Sequence, residues 1–360
     1  MPVTDQAFVT LGTNDLYCQG ALVLGQSLRN HKTSRQLVVM ITSEVTSRMR
    51  GILNHVFDQV VEVDVLDSAD SVRLSLLKRP ELGITFTKIQ CWTLTQYTKC
   101  VYMDADTIAL CNIDELFDRE EFSAAPDAGW PDCFNSGVFV FSPSLETFGR
   151  ILKHAEEHGS FDGGDQGLLN NFFNNWATSD ISKHLPFIYN LSISSIYTYS
   201  PAFKQFGSEA KVVHFIGTPK PWNCKYNPQT KWLAEEESLS NQQLLLFLVL
   251  WWETYISEIL PLLTENQEKE ECSENKHQFG RIELQMKNEE PSPDCSAEAS
   301  AENPDSTAHL SKSVSELSIR EAEEALRMEE ERKNWEAGHI DYMGRHSFEN
   351  IQKKLDQFLQ

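Results

Sequence analysis

An α/β fold is predicted for the first 263 of the 360 residues, on two observations. Between residues 7 and 215, short runs rich in β-branched and aromatic residues alternate with segments of helical apolar spacing. That alternation describes a mostly parallel sheet with helices on both faces. One of the runs also ends in an Asp-x-Asp pair, and the carboxyl ends of strands are where open α/β sheets bind their ligands.

Taken in order, the strands are 7–11, 36–42, 60–65, 100–103, 137–141 and 212–215. The first reads Ala-Phe-Val-Thr-Leu, a nearly continuous apolar run of the kind buried on both faces. Helical spacing marks 20–31, 43–57, 87–97, 144–158 and 166–176 between them, and 239–263 reads as a last helix, apolar nearly all round at 244–252. Such a helix packs against the domain or against a second copy, and its nine-residue apolar core is too short to span a bilayer.

Composition narrows the function. With 41% hydrophobic residues the chain can bury a substantial core, while its net charge of −22 repels phosphate backbones and anionic lipid. Nucleic-acid and polybasic membrane binding are thereby disfavoured. The cysteines (Cys18, Cys91, Cys100, Cys111, Cys133, Cys224, Cys272 and Cys295) form no Cys-x-x-Cys pair, so they read as reduced thiols. Residues 1–10 lack the basic and apolar regions of a signal peptide. A cytoplasmic protein is expected, in which the Asn190-Leu191-Ser192 sequon is a chance match.

Beyond the last helix the composition changes. Residues 265–330 hold 18 acidic and 7 basic residues, a net of −11, with few aromatics. Such a segment cannot bury enough surface to offset its ordering entropy, so a disordered linker is expected over 264–330. The final stretch, 331–360, differs again: Phe348, Ile351, Leu355 and Phe358 fall on one helical stripe behind a cluster of Trp335, Ile340, Tyr342 and Met343. A short amphipathic helix on a long tether has no core of its own, which suits recognition of a partner groove or of its own domain.

The chemistry concentrates in three places. Val101-Tyr102-Met103-Asp104-Ala105-Asp106 is an apolar strand that ends in two carboxylates one residue apart. Strand alternation directs both to one side, where they repel each other unless a divalent cation lies between them. Asp-x-Asp also describes many solvated turns; the apolar strand before it favours the metal. In 211–217 a second short strand carries His214 among large apolar residues, with Lys220 just beyond. Alone, His214 reads as a core histidine with locally satisfied nitrogens. Beside two strand-end carboxylates it reads as a third ligand, the O,O,N set suiting Mn²⁺ or another first-row ion better than Ca²⁺, and Lys220 is placed for phosphate oxygens. Third, Gly159-Ser160-Phe161-Asp162-Gly163-Gly164-Asp165-Gln166-Gly167 leads two acids and an amide into a helix. Asp165 there serves as an ordinary N-cap or, with Asp162 and Gln166, as a contact for a polyhydroxylated ligand. No Gly-Lys-Ser/Thr follows, so phosphate cradling is not its task. Asn135 and Ser136, opening the strand after Pro131-Asp132-Cys133-Phe134, add polar contacts.

Together these residues resemble the GT-A glycosyltransferases of family 8, and within them the self-glucosylating primers of glycogen. The resemblance runs from residue 4 to about 227, through 77–83, 112–119, 130–137 and 186–190, and resumes over 340–360. It implies a GT-A, Rossmann-like domain at 4–263 and a retaining glucosyltransferase that moves glucose from UDP-glucose. Leu11, Thr13, Asn14 and Tyr17 are then expected to hold uridine, and Arg79 and Lys88 to approach the nucleotide sugar. Asp104, Asp106 and His214 would ligate Mn²⁺ on the diphosphate, with Ala105 among the substrate contacts and Gly217 and Lys220 on the phosphates. Asp127, Asn135, Ser136, Asp162, Asp165 and Gln166 would surround glucose. Asp165 acts as nucleophile in a double displacement or as a positioning group in a front-face route. Tyr197 would be the glucosylated acceptor, although 197–203 alone reads as an ordinary strand or loop; that stretch is closer to the liver-type primer. The resemblance also implies glycogen and glycogen synthase as partners, the latter through the tail, and a homodimer. The alternatives are a family 8 enzyme acting on a separate acceptor, or a silent scaffold that presents the tail.

Overall fold

The computed structural model describes residues 3–68, 70, 80–194, 199–217, 220–224, 226–227, 232–233 and 242–264. The linker and tail expected at 264–330 and 331–360 lie outside them apart from residue 264. The described chain folds around a six-stranded sheet. Four strands, β1 (Val3–Gly12), β2 (Arg35–Ile41), β3 (Gln59–Glu62) and β4 (Lys99–Met103), run parallel. Two more, β6 (Ser123–Pro126) and β7 (Phe134–Phe141), add antiparallel pairs, giving the order β3-β2-β1-β4-β7-β6. Of its five pairings three are parallel, as expected.

Alternation along β1 explains the two layers of core. Phe8 packs with the helices α1 (Asp15–Asn30) and α2 (Ser47–Leu53) on one face. Ala7 and Val9 point to the other, against a 3₁₀ segment at Pro80–Thr93 and the helices α3 (Leu145–His158) and α4 (Asp165–Phe172). An aromatic stack fills that second layer, with Trp92 and Tyr102 on Phe139 at ring separations of 5.5 and 5.0 Å.

A small second sheet, β5-β9-β8, lies beyond the end of β4. In it β9 (Val212–His214) pairs antiparallel with β5 (Thr107–Ala109) and parallel with β8 (Leu191–Ser192). Two minor strands, β10 (Tyr226–Asn227) and β11 (Trp232–Leu233), pair antiparallel, and α5 (Ser200–Phe206) precedes β9.

The last helix, α6 (Gln242–Thr254), continues through a π-helical turn, Tyr255–Ile259. Its stretch Leu246–Thr264 is 19 residues long, so by length and composition alone it could cross a membrane, unlike the shorter run read from the sequence. Phe247, Leu248, Trp251 and Ile259 nevertheless pack into the same core as α1, whereas Leu246, Leu250 and Leu260 face solvent.

Candidate active site

The two sheets meet at the Asp-x-Asp pair. Asp104 follows the end of β4 and Asp106 precedes β5, so the pair occupies a connecting turn, closed by Thr107 N–H on Asp104 O at 3.0 Å, rather than successive positions of one strand. Register then delivers the histidine, because Thr107 pairs with His214 across β5 and β9. One ligand atom from each of Asp104, Asp106 and His214 lies within 4.8 Å of the others. His214 Nε2 is 3.2 Å from Asp106 Oδ1 and 3.9 Å from Asp104 Oδ2.

Hydrogen bonds fix which imidazole nitrogen faces those carboxylates. Gly137 N–H can only donate, and it does so to Asn135 Oδ1 at 2.9 Å. Asn190 Nδ2 donates to that same oxygen at 2.8 Å, which turns Asn190 Oδ1 toward His214 Nδ1, 2.9 Å away. Nδ1 therefore carries the proton, and the Nε2 lone pair is left for a cation. Two hard carboxylates and one outward imidazole lone pair fit a divalent first-row ion.

Charge is packed densely here. Lys88 Nζ, buried, lies 2.9 Å from Asp104 Oδ1 and 2.6 Å from Asp165 Oδ2, and donates to Ser136 O at 3.2 Å. Asp165 Oδ2 also accepts from Ser136 Oγ at 2.7 Å, while Asp165 Oδ1 bears no donor among the described residues. Lys220, buried as well, bonds Asp106 Oδ2 and donates to Phe215 O at 3.0 Å. Burial pushes the Asp104 carboxyl up; Lys88 opposes that, and Asp106 and Asp165 add to it. At Asp106 burial pushes the same way, but Lys220 outweighs it and holds the carboxyl well below the usual range. Burial raises Asp162 too, against hydrogen bonds from Ser160, Gly164 and Gly167.

All of this lines one cavity of about 400 Å³. Leu11, Thr13, Asn14 and Tyr17, from the end of β1 and the start of α1, line it, as do Asp127, Asn135, Ser136, Asp162 and Gln166. Asp104, Ala105, Asp106, Asp165 and His214 line it with Lys88, Gly217 and Lys220. Gly217 has φ +89°, a conformation that favours glycine. Arg79 and Tyr197 lie outside the described residues. Sequence reasoning passed over Asn190, because it read as a sequon, and Thr85, whose Oγ1 accepts from Asp165 N–H at 3.1 Å. Nothing local in the sequence marks Thr85, since its partner lies 80 residues away.

Comparison with known proteins agrees with this architecture. A family model described as glycosyl transferase family 8 matches residues 8–225. Glycogenin-1 of Homo sapiens is 54% identical over 363 residues, spanning 99% of this chain and 100% of that protein. Glycogenin-2 of Homo sapiens is 48% identical over 470 residues, spanning 100% and 94%. Glycogenin-1 of Caenorhabditis elegans is 55% identical over 218 residues, 61% of this chain and 51% of that protein.

Proposed function

The chain belongs to glycosyl transferase family 8, in its glycogenin branch, and we propose a site-by-site reading of how its cleft primes glycogen by glucosylating its own chain. The donor is UDP-glucose, its uridine against Leu11, Thr13, Asn14 and Tyr17, with Arg79 reaching the nucleotide sugar. Asp104, Asp106 and His214 hold Mn²⁺, which when bound supplies positive charge to the leaving diphosphate. Lys220, with Gly217, turns from Asp106 to the phosphates and steadies the charge that develops there. Asp127, Asn135, Ser136, Asp162 and Gln166 take the glucose hydroxyls, and Asp165 presents its donor-free Oδ1 to the sugar while Lys88 anchors Oδ2. Glucose passes with retention to Tyr197 and then, α-1,4, onto the growing chain. The protein is cytoplasmic, works as a homodimer, carries nascent glycogen and engages glycogen synthase through residues 331–360.

The observation that carries this reading is the burial of Asp106, His214, Lys88 and Lys220 beside the partly buried Asp104, around one cavity also lined by further carboxylates and amides. Intact-mass measurement with UDP-glucose and Mn²⁺ tests it. Wild type is expected to gain a ladder of hexose increments, and Tyr197→Phe to gain none while still glucosylating a soluble maltoside. A normal ladder on the Phe variant would move the acceptor elsewhere, and no transfer by wild type to either acceptor would overturn the function.

A further inference from the structure

Two large aromatic side chains stand exposed on the loops that carry Asp127 and Asp162 into the cavity lining. Trp130 is 67% exposed and Phe161 51% exposed. Neither makes an aromatic pair or a side-chain hydrogen bond among the described residues. Their loops are clamped to one place. Asp127 accepts from Gly129 N–H at 2.8 Å and Trp130 N–H at 3.3 Å through Oδ1, and from Gln166 Nε2 at 3.2 Å through Oδ2. Asp162, next to Phe161, accepts from Gly164 N–H at 2.9 Å and Gly167 N–H at 3.0 Å. Both loops therefore grip the first turn of α4, and each contributes its aspartate to the cavity lining.

Asp162 supplies a second observation. All its protein donors, Ser160 Oγ included, fall on Oδ1, so Oδ2 is left without one among the described residues. A rim that offers a ring face, a second ring face and an unused carboxylate oxygen matches a pyranose, which has an apolar C–H face and a girdle of hydroxyls.

We propose that Trp130 and Phe161 form a platform on which the acceptor glucan, already grown past the reach of the cavity, stacks its outer glucose units while the terminal unit enters beside the donor glucose. This rests on the glucan-extending function proposed above. It assigns the two rings to acceptor binding and chain-length preference, leaving donor and metal chemistry untouched. The hydroxyl acceptors on the rim favour a sugar chain over an apolar protein segment.

The full chain tests this in two arms: binding of maltohexaose, followed by calorimetry, and glucosyl transfer to maltosides of increasing length, with UDP release in the absence of acceptor as a check on the donor side. Trp130→Ala should weaken maltohexaose binding and raise its KM on the order of tenfold, the range expected for loss of one stacking ring. Phe161→Ala should act in the same direction, Trp130→Phe should recover most of the loss, and acceptor-free UDP release and melting temperature should not move. Short acceptors should suffer less than long ones. If the Ala variants bind and use maltohexaose like wild type, or wild type does not bind it at all, the platform is wrong. Wild type that binds the glucan yet transfers no glucose would overturn the proposed function and leave the platform standing.

Discussion

Gly137 offers a way to move the histidine without touching any ligand. A Cβ built at this position meets His214 Cε1 at 2.2 Å, His214 Nδ1 at 2.5 Å and Asn135 Oδ1 at 2.9 Å. Ordinary contact begins at 3.4 Å, so the imidazole of a Gly137→Ala variant must retreat by about 1.2 Å. Neither neighbour can yield freely, since Asn135 and Asn190 are tied to each other and to the ring. Overpacking of this kind costs about 1–3 kcal/mol, which lowers the melting temperature but leaves a folded protein. A comparable effect falls on the cation: disturbing the groups that orient a ligating histidine lowers metal affinity about 10–100-fold. Mn²⁺ titration followed by electron paramagnetic resonance measures this directly. Gly149→Ala, in the middle of α3 with nothing within 4 Å of the added methyl, is the control and should be neutral or slightly stabilising. Wild-type Mn²⁺ affinity in the folded Gly137→Ala protein would refute the role given to His214.

The double variant Asp104→Asn, Asp106→Asn should keep the fold and lose metal-dependent transfer, because two neutral amides do not replace two anionic donors; undiminished glucosylation at the same Mn²⁺ concentration would contradict it. Cysteine labelling separates buried from accessible thiols. Burial, reinforced by Asp15, pushes the Cys18 thiol up to about 12, so at pH 8 it is almost wholly protonated and should resist iodoacetamide while the partly exposed Cys133 reacts. Peptide mapping that found Cys18 alkylated in the folded protein would contradict its burial.

How much of this was legible in the sequence depends on how far apart the cooperating residues lie. The strands β1, β2, β4 and β9 are apolar runs, and the hydrophobic pattern alone locates them. Helix α1 begins five residues earlier than its apolar spacing suggests, because Asn14 accepts from Tyr17 N–H at 3.0 Å and caps the helix at Asp15. The same asparagine lines the cavity, so one side chain answers to two readings. The helix expected at 87–97 instead begins at Pro80 and is wound as 3₁₀ turns. Strand β5 is three residues long and exists through pairing with a segment more than 100 residues away, which no local pattern announces. For that reason Asp-x-Asp and His214 each read ambiguously alone, and only their juxtaposition, with Asn190 behind the ring, turns them into a site.

The lysines buried in the acidic cluster set its charge balance. Around the Asp-x-Asp pair stand three carboxylates, Asp104, Asp106 and Asp165, and two ammonium groups, Lys88 and Lys220, a sum of −1 with His214 uncharged. A divalent cation alone brings that sum to +1, and a doubly negative diphosphate alone brings it to −3. Arriving together they leave it at −1. Unbalanced charge in so buried a setting is costly, so the ion and the nucleotide sugar are expected to bind as partners, each tightening the other by an equal factor. Metal and donor affinities measured singly would then understate what the working cleft holds, and the first event in a catalytic cycle would be the capture of a neutral pair.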